Sequence, residues 1–144
     1  MNVIDISQKT EFSFKWKIGG MEDAGADNAL DLAFSLDIQE NLPLLHGQMT
    51  SAPNRNDLAV IKPDTWYCTR LLVDPNDEGV IAVTLFGNDG SGEKSLKRWE
   101  YPINNATRIN LKHARPRIRA SGNAKKAWIL CSEALIRQGK PPAF

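Results

Sequence analysis

The chain has little of what small enzymes and metalloproteins are commonly built on. Its 144 residues hold two cysteines, Cys68 and Cys131, and two histidines, His46 and His113. None of the four lies in a CxxC, HExxH or comparable spacing, so no metal site is expected. Two thiols so far apart do not form a disulfide framework, and buried free thiols in a reducing compartment are the simpler expectation. No apolar run approaches the ~18 residues that span a bilayer, which excludes a membrane helix. The opening MNVIDISQKTEF has no basic region followed by an apolar one, so no secretory leader is evident and a cytoplasmic protein is expected. Internal repeats and low-complexity tracts are absent.

Catalytic signatures are equally sparse. There is no G-x-S-x-G elbow. The segment Gly87–Ser95, GNDGSGEKS, imitates a phosphate-binding loop, but Glu93 separates Gly92 from Lys94 and sets an anion where phosphate would approach. Pro102 follows too soon for a capping helix, so a hairpin loop explains the segment better. Asp74 to Gly79, DPNDEG, carries oxygens at calcium-loop positions 1, 3 and 5, yet position 12 is Leu85. Turn chemistry accounts for all six residues. Cys68 falls in a strand-like run and reads as packing rather than nucleophile. Asp31 and Asp37 fall on a predicted solvent face, with no sign of an acid/base pair. The expectation is a protein that is not an enzyme and has no cofactor.

What the sequence does carry is strand periodicity. Phe12, Phe14, Trp16 and Ile18 alternate with Glu11, Ser13, Lys15 and Lys17, which predicts a half-buried strand. Leu30, Leu32, Phe34, Leu36 and Ile38 alternate with polar and small residues in the same way. Weaker strands are expected at 44–50, at 58–61 up to Pro63, and at 96–101 up to Pro102. Residues 66–73 and 80–86 frame the DPNDEG turn as a hairpin, and the second arm is apolar on both faces, hence internal. Residues 107–111 predict a last orthodox strand, with a bulge or break near His113–Ala114 to keep the arginines beyond it out of the core. Trp16, Trp66 and Trp128 are assigned to the core.

Charge is segregated along the chain. From Tyr101 to Phe144 there are nine Lys or Arg and one acid, Glu133; the first hundred residues hold nine bases and sixteen acids. Arg115, Arg117 and Arg119 are spaced two apart, with His113 in phase. Extended, they project from one face and repeat at ~6.6–6.8 Å, while Ala114, Pro116, Ile118 and Ala120 form the other. Pro116 lacks a donor, so the segment is predicted to be an edge strand or arm. A helix is predicted to follow, capped by Ser121 or Asn123, with a buried stripe of Ala124, Ala127, Trp128, Cys131, Ala134 and Leu135. Gly139 and Pro141-Pro142 stop it. Lys125 and Lys126 in its first turn would add to an anion-binding helix N-terminus.

The sequence therefore predicts a mainly β (or α+β) single domain over 1–144: an antiparallel β-sandwich or small barrel of about seven to nine short strands with one C-terminal α-helix. Residues 1–111 form the acidic β-rich body and 112–144 the basic strand and helix. The function expected is a non-enzymatic binding module that engages nucleic acid backbone through Arg108, Lys112, His113, Arg115, Arg117, Arg119, Lys125 and Lys126. Trp99 and Tyr101, beside Lys97 and Arg98, are candidate stacking residues, although one aromatic face packed in the core is the plainer account. The alternative is an assembly or adaptor protein, of the kind a virus or mobile element uses as an accessory. Such a protein self-associates as a homo-oligomer or binds an acidic protein surface through the same segment. The acidic stretch Glu22, Asp23 and Asp27 could instead neutralise the arginines within the chain.

Overall fold

The computed structural model describes residues 9–20, 30–37, 43–52, 58–74, 80–88, 93–103, 115–123 and 125–138. Nine strands account for most of them: β1 (Thr10–Gly19), β2 (Leu30–Asp37), β3 (Pro43–Thr50), β4 (Ala59–Val60), β5 (Tyr67–Val73), β6 (Val80–Asn88), β7 (Glu93–Pro102), β8 (Arg115–Gly122) and β9 (Trp128–Gln138). They form two sheets. Sheet I has the order β7-β6-β5-β1-β9, and sheet II the order β4-β3-β2-β8. All pairings are antiparallel except the two-residue contact of β3 with β4. In chain order β1 lies in sheet I, β2 to β4 in sheet II, β5 to β7 in sheet I, β8 in sheet II and β9 in sheet I. The result is an open β-sandwich.

Alternation explains the layers. Phe12, Trp16 and Ile18 of β1 and Leu30, Leu32, Phe34 and Leu36 of β2 are all buried, and the two sets meet across the sandwich. One end of the core gathers Phe12, Phe34, Leu36, Leu71, Val73, Ile81 and Val83. The other gathers Trp16, Ile18, Leu32, Met49, Ile61, Tyr67 and Leu85. Phe14 stacks on Phe34 with ring centroids 5.3 Å apart and joins the two ends. The fully buried Trp16 stacks on Tyr67 at 5.0 Å and donates its indole N–H to Thr69 Oγ1 at 2.9 Å. A buried indole donor left unmet would cost about 1–3 kcal/mol.

The hairpin around DPNDEG is present as β5 and β6, paired from Tyr67 opposite Gly87 to Val73 opposite Ile81. The apolar β6 lies between β5 and β7, inside the sheet. The GNDGSGEKS segment spans the β6–β7 connection, with Gly87 and Asn88 in one strand and Glu93 in the next. The strand expected at 107–111 and the break near His113–Ala114 lie outside the described residues.

The predicted C-terminal helix is overturned. Residues 128–138 form a strand, β9, which pairs with β1 along its whole length. The helical stripe accounted for Trp128, Cys131, Ala134 and Leu135 but left Ile129, Leu130 and Ile136 off the stripe. The segment is apolar on every side, which suits a two-faced strand better than an amphipathic helix. β1 supplies the deciding interaction: without β9 its ten residues would be a long unpaired edge. Ser121 and Asn123 consequently cap nothing, and the supposed helix N-terminus at Lys125 is the arch from sheet II to sheet I. Gly122 (φ 124°) and Lys126 (φ 54°) turn the chain there.

Two tryptophans assigned to the core are also surface residues: Trp66 is 39% exposed and Trp128 44%. Lys17 Nζ lies between them, 5.2 Å from one ring centroid and 5.8 Å from the other. Trp128 rests on Gly19 and Gly20, where a Cβ would fall within about 2.5 Å of its ring.

Candidate functional site

β8 is an edge strand, and its register against β2 sorts its residues. Arg115, Arg117 and Arg119 stand opposite Asp37, Ser35 and Ala33, on the outward row of β2. Pro116, Ile118 and Ala120 stand opposite Leu36, Phe34 and Leu32, on the core row. Arg117 and Arg119 therefore share the outer face of sheet II at its margin. One of them is already engaged: Arg117 Nη2 lies 2.7 Å from Asp37 Oδ2, on a carboxylate that is 9% exposed. The pair joins the largely buried carboxylate of β2 to a partly exposed guanidinium of β8. The partner is Asp37 on the next strand; the acidic stretch Glu22, Asp23 and Asp27 lies outside the described residues.

Arg119, Lys125 and Lys126 are exposed at one end of β8 and in the arch that follows. Arg115 holds its register position in β8, whereas Arg108, Lys112 and His113 lie outside the described residues. Trp99 and Tyr101 sit on the inward row of β7, half-buried against the core. The Trp99 ring lies against Gly47 of sheet II, where a Cβ would be 3.1 Å away. Lys97 Nζ covers that ring at 5.5 Å. Trp99 thus bridges the two sheets and does not present an open face.

The outer face of sheet I carries a shallow polar groove of about 370 Å³ bordered by Glu11, Lys15, Arg70, Glu93, Glu133 and Arg137. Its charges are paired across strands: Lys15 with Glu133 at 3.5 Å and Arg70 with Glu93 at 3.9 Å. Cys68 lies beneath, and burial pushes its thiol above its ordinary pKa against the pull of Arg70 and Lys15. A thiol held protonated is a poor nucleophile. Burial likewise raises Tyr67, whose hydroxyl accepts the Lys62 N–H at 2.8 Å. Among the described residues no three His, Cys, Asp or Glu side chains converge as metal ligands.

The feature that sequence reasoning missed is the side of the sandwich between β8 and β9, which is open among the described residues. A groove of about 490 Å³ runs there, bordered by Phe14, Phe34, Ile118, Cys131, Ala134 and Ile136, with Arg117 at its rim. Along β9, Trp128, Leu130, Leu135 and Ile136 remain 43–52% exposed. The register against β1 puts Ile129, Cys131, Ala134 and Ile136 on the inward row, opposite Ile18, Trp16, Phe14 and Phe12. Trp128, Leu130, Glu133, Leu135 and Arg137 take the outward row, with the extra residue of a bulge at Ser132. The sequence signal was the surplus of apolar residues off the helical stripe.

These features define a β-sandwich with one open, largely apolar side and mixed-charge outer faces. No protein-family model, curated protein or solved structure matches the chain significantly.

Proposed function

We propose that this protein is a non-enzymatic assembly module that associates with other protein chains through the open side between β8 and β9. The observation that carries this reading is β9 itself. It is an eleven-residue strand that stands at the margin of sheet I among the described residues, with apolar side chains half exposed on both faces. Single exposed apolar residues are ordinary, but a contiguous row beside a free strand edge is a template for strand addition. Fully burying a Leu or Ile side chain is worth about 1.5–3 kcal/mol, so several half-exposed ones hold a useful reserve for association. Sedimentation velocity across a concentration series tests this: reversible oligomers are expected at micromolar protein, and a strict monomer throughout would overturn the reading.

A second reading is favoured by the exposed Arg119, Lys125 and Lys126, which suit an anionic backbone such as nucleic acid. The commitment of Arg117 to Asp37 reduces the cation row and makes this reading the weaker. It requires a fluorescent oligonucleotide to bind at low salt and to lose binding in the triple alanine variant of those three residues. Binding that survives the triple change rejects it.

A further inference from the structure

The segment Glu133–Arg137 of β9 is complementary to itself. Its outward row reads Glu133, Leu135, Arg137, and its inward row Ala134, Ile136. We infer that a second copy of this chain docks along Glu133–Arg137 on the side of β9 that faces away from β1, antiparallel about a two-fold axis centred on Leu135. The two copies then share one ten-stranded sheet. The inference rests on the assembly reading and supplies its partner and register.

The argument is geometric. A two-fold axis perpendicular to the sheet keeps each side chain on its own face, so residues opposite one another must be separated by an even number of positions. Centring on Leu135 places Glu133 of each copy opposite Arg137 of the other, twice. Leu135 meets Leu135 between them. On the inward face Ala134 meets Ile136, also twice, a small residue against a large one. Centring on Glu133 would oppose two carboxylates, and centring on Arg137 two guanidiniums. Centring on Ala134 or Ile136 would set a charge against Leu135. Of the five registers, one satisfies both charges.

The sheet already prepares that charge pattern. Within one copy Lys15 pairs with Glu133 at 3.5 Å, and Glu11 stands opposite Arg137 on β1. Across the junction the outward row would run Lys15, Glu133, then Arg137 and Glu11 of the second copy, alternating in sign over four strands. Opposite charges directly across strands stabilise a pair and like charges destabilise it, so the pattern selects the register as well as the partner. The inward Ile136, 52% exposed in the single chain, gains cover at the mouth of the groove.

The test is a charge exchange. In Glu133→Arg, two arginines face each other at each end of the junction; in Arg137→Glu, two carboxylates do. Each variant alone should dimerise on the order of tenfold more weakly than the unaltered chain. Mixed in equal amounts, they should form a heterodimer in which both pairs are restored, identified by its mass in native mass spectrometry. Both sites are exposed, and circular dichroism checks that each variant folds. If the unaltered chain associates while the variants dimerise equally well and mixing adds nothing, the register is wrong and the assembly reading stands. If the unaltered chain is monomeric at all concentrations, both fall.

Discussion

Sheet I has two edges, and they are built differently. β7 carries Glu93, Lys94, Lys97, Arg98 and Glu100 among its ten residues and ends on Pro102, which has no donor. β9 carries only Glu133 and Arg137 among eleven. Charges and proline along an edge discourage strand addition, because an incoming strand must desolvate them. β7 is thus blunted in the usual way, with Arg98 bonded to Glu100 at 3.0 Å on its surface. β9 lacks that density of charge, and in the dimer proposed above its two charges would stand opposite one another. The difference teaches that the two margins of one sheet resist an added strand to unequal degrees.

The largest expected effect comes from placing a lysine on each edge in turn. Ile136→Lys sets a cation on the inward row of β9, where association would bury it, and should weaken self-association by roughly 1.4 kcal/mol or more, at least about tenfold. Leu96→Lys makes the matching change on β7, at a leucine 51% exposed, and should leave association unaltered. Sedimentation velocity on the two variants checks the comparison. Equal effects from both edges would remove the distinction between them.

The contrast between edges was only partly legible in the residues. β1 and β2 announced themselves because Phe12 to Ile18 and Leu30 to Leu36 alternate strictly, and the β5–β6 hairpin because its turn residues are specific. Pro116 in a two-residue alternation pointed to the edge position that β8 holds in sheet II. β9 misled because Ala127, Trp128, Cys131, Ala134 and Leu135 also fit a helical period, and the partner that decides the matter, β1, lies more than a hundred residues earlier. Short apolar runs cannot be assigned by period alone. Ile129, Leu130 and Ile136 were the legible warning. The candidate anion site was legible as a row of arginines but not as a set of pairings. That Arg117 closes on Asp37 depends on β2 and β8 being neighbours. Trp128 looked like core because it fell on the buried stripe of the predicted helix, whereas in the sandwich its ring lies over the bare backbone of Gly19 and Gly20.

A smaller effect should separate how the two edges are seated. Each is anchored by a tryptophan resting on a glycine: Trp128 of β9 on Gly19, and Trp99 of β7 on Gly47. A Cβ at Gly19 would lie 2.4 Å from Trp128 Cζ2 and 2.7 Å from Asp64 Oδ1, closer than side chains tolerate. Gly19→Ala must therefore lift the indole, loosening its contact with Lys17, and should cost about 1–3 kcal/mol. At Gly47 the nearest approach is 3.1 Å, so the Trp99 ring need yield only a few tenths of an ångström and Gly47→Ala should cost less. Amide hydrogen exchange distinguishes the two, since Gly19→Ala should speed exchange in β9 while leaving β7 near its original rate. Uniform acceleration in both strands would mean that Trp128 supports the whole sandwich rather than the open edge alone.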